Sequence, residues 1–146
     1  LDKFEAPYLQ EKLLKDGKFN SLEEYQRAFI EFKKYVTLDK LTGNSPIGMA
    51  SAKVDEVWHQ FILFTKEYAK FCEEIPGYFV HHSPHTSQTP KYKRIEGTKN
   101  FVSSYKQIFG EIPDIWNISS GCSNCSEDLC SSDGCSGCGN QCAKCD

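Results

Sequence analysis

No stretch of this chain approaches the roughly twenty consecutive apolar residues that a membrane-crossing helix requires. It also lacks a basic excess: 17 Lys and Arg stand against 20 Asp and Glu, for a net charge of −3. Phosphate-neutralising binding to nucleic acid needs the opposite balance, so that partner class is set aside. There is no glycine-rich phosphate loop, no serine at a nucleophile elbow, and no carboxylate pairing beyond surface doublets such as Glu23/Glu24 and Glu73/Glu74. No alternating apolar run is long enough to demand a sheet. The chain starts at Leu1 rather than Met, which leaves an upstream signal or leader open.

What is present is enough for one domain with a real core. The 146 residues are 39% hydrophobic and 13% aromatic, a globular composition. The first 118 residues read as helical. Pro7 to Lys15 forms a short first helix, stopped by Gly17. Ser21 and Glu24 make a capping box, after which Leu22, Tyr25, Phe29, Phe32 and Val36 recur at helical spacing until Gly43-Asn44-Ser45-Pro46. Ser51 caps a long helix expected over Ala52 to Glu74, with the stripe Val54, Trp58, Phe61, Thr65, Tyr68 and Cys72, ended by Pro76-Gly77. Tyr78 to His82 reads as extended, and Ser83 to Pro90 as a polar loop. A fourth helix is expected from a Thr98 cap to Phe109, followed by an Ile115-Trp116 lid on the core. The expectation is an all-α domain of about four helices over residues 1–118.

Residues 119–146 are a different material, a Cys-rich tail of Ser, Gly, Asn and Cys in which Leu129 is nearly alone as a large apolar side chain. Such a segment cannot bury enough surface to offset the entropy of ordering it. Charge divides the same way: residues 1–121 are net zero, and the whole −3 lies beyond them. Seven of the eight cysteines fall here, as the Cys-x-x-Cys pairs Cys122/Cys125, Cys135/Cys138 and Cys142/Cys145, with Cys130 alone. Two-residue spacing lets both thiolates of a pair reach one ion, and two pairs complete a tetrahedral site. Zinc is the leading candidate; bridging thiolates would also suit Cu(I), and an iron–sulfur cluster stays open. Disulfides are the competing reading, and seven is odd, so one thiol would remain for Cys72 or another chain. Metal in the tail implies a cytoplasmic protein; disulfides imply an extracytoplasmic one, with the tail stapling the chain to itself or to neighbours.

All four histidines lie between His59 and His85. Asp55 and His59 are four residues apart on one helix, so they project one above the other on the flank of the apolar stripe. His81 and His82 point to opposite sides of an extended segment, so only one of them faces His59 easily. His85 follows Pro84 and is free to swing in. Asp55, His59, one of His81 and His82, and His85 would suit Zn or Fe(II), with an open position for chemistry if three protein ligands bind. The plain alternative is a hydrogen-bonded network in which Asp55 fixes the His59 ring.

The run from Val54 through Trp58-His59 to Tyr68, then Phe71-Cys72, Gly77 and His81-His82-Ser83-Pro84, resembles the glycine-rich domain-containing-protein-like family. Phe109 to Trp116 is similar to the end of its small bacterial members, which often finish in a Cys/Gly-rich tail. The resemblance covers roughly residues 20 to 116 and implies that Asp55, Trp58, His59, Cys72 and His82 match motif positions. Plant-type members carry a second histidine two residues after the first. Here that position is Phe61, which leaves His59 as the helix's only imidazole. The tail also departs, being richer in serine and acids than a plain Gly-Cys repeat. The resemblance implies a motif and a type of tail rather than a reaction.

Overall fold

The computed structural model describes residues 3–43 and 45–118, and beyond them only the backbone of two-residue strands β1 (Cys130–Ser131) and β2 (Gly134–Cys135), which pair antiparallel. The side chains of Cys122, Cys125, Cys130, Cys135, Cys138, Cys142 and Cys145 lie outside the described residues. The described domain is all-α: α1 (Pro7–Lys15), α2 (Leu22–Leu41), α3 (Ala52–Leu63), α4 (Thr65–Glu74), α5 (Lys91–Phe109) and a 3-10 turn at Asp114–Trp116.

The serine caps read from sequence form, although the reciprocal bond from Glu24 goes to Asn20, one residue before the cap. Ser21 Oγ accepts from Glu24 N–H at 3.1 Å, and Glu24 reaches back to accept from Asn20 N–H at 2.7 Å. Ser51 Oγ accepts from Val54 N–H at 3.2 Å. Helix α2 is the central element, packed on α1, α3 and α5. Its Phe32 is fully buried, with ring centroids 5.9 Å from Trp58, 6.1 Å from Phe61 and 5.5 Å from Phe71. Each such side chain contributes about 1.5–3 kcal/mol through removal from water. The expected lid is present: the 3-10 turn drops Trp116, fully buried, against Tyr35, Phe101 and Tyr105.

Two elements differ from expectation. The long third helix is broken at Phe64, whose ψ of 69° belongs to neither α3 nor α4. Ten residues along an unbroken helix span about 15 Å. Yet the Phe61 and Phe71 rings lie 5.1 Å apart, and Trp58 is hydrogen-bonded to Tyr68. Only a chain that turns back can make both contacts. Phe64 itself packs on Tyr8 of α1 at 5.1 Å, so tertiary packing holds the break, while Thr65 of the expected stripe is exposed. The second difference is α5, which begins at Lys91 after Pro90 rather than at Thr98. Its first two turns are mostly exposed and carry no apolar stripe, so periodicity alone had nothing to register. Gly97 sits inside it because a Cβ there would meet the Gly48 backbone nitrogen at 3.1 Å.

Candidate metal centre

Helix α3 presents its apolar residues Val54, Val57, Trp58 and Phe61 to the core. Asp55 and His59 therefore fall beside that face, Asp55 half-buried and His59 exposed. The four-residue spacing stacks them, with His59 Nε2 3.4 Å from Asp55 Oδ2. The third member arrives from the segment after α4. Gly77, with φ of 87°, reverses the chain and donates its N–H to the Cys72 carbonyl, so residues 78–82 run back across the helices. Alternate side chains then take opposite sides. Val80 is buried and His82 half-buried, while Phe79 and His81 face outward with their rings 4.8 Å apart.

His82 Nε2 comes to 2.9 Å from Asp55 Oδ1. Its ring meets the edge of Trp58 at 4.4 Å and lies 4.5 Å from the His59 ring. One carboxylate thus faces two imidazole nitrogens. One ligand-capable atom from each of Asp55, His59 and His82 lies within 4.8 Å of the others. A tetrahedral ion with bonds of about 2.0–2.1 Å holds its donors about 3.3 Å apart. The three candidate atoms, one from each residue, lie within 4.8 Å of one another, so the exposed His59 ring would have to move inward to close a tetrahedral site. Of the other sequence candidates, His81 and His85 are both exposed, and neither is part of this group.

The segment that delivers His82 is held by hydroxyls that sequence reading missed. Trp58 Nε1–H donates to Tyr68 Oη at 2.9 Å, and Tyr68 O–H donates in turn to the Val80 carbonyl. Tyr78 O–H donates to Asp39 of α2. Burial pushes the Tyr68 hydroxyl well above its ordinary range, and Tyr78 is pushed up to about 12 by desolvation and by its bond to Asp39. Both are therefore protonated donors at neutral pH.

A second polar cluster, on the far side of the core, was also missed. Glu31 is buried and accepts from Tyr105 O–H and Trp116 Nε1–H, both at 2.7 Å, while Lys34 Nζ lies 2.9 Å from its other oxygen. The signal was available: Glu31, Tyr35 and Leu38 recur at i, i+4, i+7 on the buried face of α2. Among the described residues every buried side-chain polar atom has a hydrogen-bond partner.

A family model described as UCP032817-like matches residues 1–106. No curated protein and no solved structure matches the chain. The match takes in α1 to α4, the segment bearing His82 and most of α5, which is to say every residue of the Asp/His/His group and its supports. The chain belongs to the UCP032817-like family.

Proposed function

We propose that this is a metal-binding protein. Its helical domain holds a divalent ion through Asp55, His59 and His82, and its Cys-rich tail supplies thiolate ligands. The observation that carries the first part is the convergence of one carboxylate and two imidazole nitrogens within 4.8 Å, from two segments that meet only in the fold. Two imidazoles and a carboxylate suit Zn or Fe(II) better than Ca or Mg, which prefer all-oxygen shells. Three protein ligands leave a position open on the His59 side for water or another donor.

The second part rests on the three Cys-x-x-Cys pairs within residues 122–145. Zinc is the metal proposed for both places, and Cu(I) or an iron–sulfur cluster are the tail's other candidates.

The test is elemental analysis of protein purified without reductant or chelator, paired with a thiol count on the same sample. The reading expects bound Zn, Cu or Fe, with the tail thiols titratable once metal is removed. A tail free of metal and of thiols would overturn its part of the proposal and leave a cross-linked structural subunit. Metal content that His59→Ala and His82→Ala leave unchanged would overturn the part assigned to the helical domain.

A further inference from the structure

From the way residues 78–82 are fastened, we infer that Tyr68 and Tyr78 are positioning residues of the metal centre, setting its affinity without touching the ion. The inference rests on the Asp55/His59/His82 reading. Residues 78–82 belong to no helix or strand, so no backbone ladder fixes where His82 stands. Three attachments to three different helices do so instead. Tyr78 is tied to Asp39 on α2, the Val80 carbonyl to Tyr68 on α4, and His82 to Asp55 on α3. Of these, the bond to Asp55 is the one metal would replace. Together with the buried Val80 and the Trp58 ring against His82, the two tyrosine hydroxyls hold the imidazole at the site through that exchange.

The Tyr68 attachment also depends on the broken helix. Tyr68 Oη accepts from Trp58, the residue immediately before His59, and donates to Val80, two residues before His82. One hydroxyl therefore registers the two histidine-bearing segments against each other. It can do so only because the chain breaks at Phe64 and folds α4 back on α3. Sites whose supporting shell is locked by packing and hydrogen bonds keep their ligands within about half an ångström of the binding geometry. Loss of such supports typically lowers metal affinity by about 10–100-fold.

The experiment is calorimetric titration with Zn(II) of the full chain after alkylation of its accessible thiols. The variants are Tyr68→Phe, Tyr78→Phe, His82→Ala and the Tyr68→Phe/His82→Ala pair. Tyr68→Phe is expected to weaken binding about tenfold and Tyr78→Phe about threefold, with helical content unchanged. Because both act through His82, the paired variant should bind no more weakly than His82→Ala alone, a non-additivity that a general loss of stability would not produce. Phenylalanine variants that bind as tightly as the parent, or an additive pair, would overturn the inference. Should Tyr68→Phe fail to fold, the exposed Tyr78 decides alone, and unchanged affinity in Tyr78→Phe overturns it. Parent protein whose Zn(II) binding ignores His82 would instead overturn the site itself, an outcome read independently of the tyrosines.

Discussion

Replacing Glu31 with leucine should be among the most damaging single changes in the helical domain, and the structure gives its size. The carboxylate is 6% exposed and takes two buried donors, Tyr105 O–H and Trp116 Nε1–H, on one oxygen. Leucine fits the helix and adds apolar surface, but it leaves both donors without an acceptor. Each orphaned donor costs about 1–3 kcal/mol. Lys34, the third partner, is 29% exposed and can turn to water, so its loss adds little. Leucine's own burial, and relief from holding a desolvated charge, return part of the loss. The net expectation is about 3 kcal/mol, or a fall in Tm on the order of 10 °C for a domain of this size. Urea unfolding followed by helical CD measures it. The donors can be silenced separately: in a Tyr105→Phe background, Glu31→Leu should cost about 1–2 kcal/mol less, because one orphan no longer exists. A Glu31→Leu protein within about 1 kcal/mol of the parent, or a strictly additive double variant, would show that the two donors are not orphaned.

Burial raises the pKa of Tyr25, Tyr35, Tyr68 and Tyr105, and Tyr78 is pushed up to about 12. The folded state therefore keeps protons that the unfolded chain releases above about pH 10. Stability should be intact below that pH and fall as pH climbs past it, with tyrosinate absorbance rising together with unfolding; an unchanged urea midpoint up to about pH 11.5 would contradict this. Ser51→Ala removes the cap of α3, whose hydroxyl is buried, and should cost about 1 kcal/mol in urea unfolding. Gly97→Ala gains up to about 1 kcal/mol of helix propensity but drives a methyl onto Gly48. That segment is anchored by Gly48 N–H to Gly97, by Asn100 to Pro46 and by Tyr35 to Ile47, so it yields poorly and the net effect should be destabilising by thermal melt. His81→Ala and His85→Ala, both exposed, should leave Zn(II) affinity at the site unchanged by calorimetry.

Much of this architecture was legible because local chemistry and global packing agree along most of the chain. Pro7 at a helix start, the Ser21 cap and the Ser51 cap each solve a local backbone problem, and each stands where it was read. The break at Phe64 was illegible because Val54, Trp58, Phe61, Tyr68 and Cys72 keep helical spacing straight across it. At the break Phe64 packs on Tyr8, more than fifty residues upstream, a contact that local spacing does not reveal. The start of α5 was missed for the opposite reason, since exposed turns carry no stripe. Within the site, Asp55 with His59 followed from helical spacing, and alternation showed that only one of His81 and His82 would join them. Which one was set by Val80: its burial sends His82 inward and His81 out. Glu31 went unnoticed because glutamates on helices are read as solvent-facing. Its donors, Tyr105 and Trp116, lie 74 and 85 residues away in sequence.

In the proposed centre Asp55, His59 and His82 hold one metal ion. The most direct measurement is the number of Zn(II) ions retained by the full chain after its accessible thiols are alkylated, compared with His59→Ala and His82→Ala proteins treated identically. About one equivalent is expected in the parent, lost in both variants while helical CD is kept. Parent protein that retains none, or variants that retain as much as the parent, would contradict it and leave Asp55 as a clasp between two histidines.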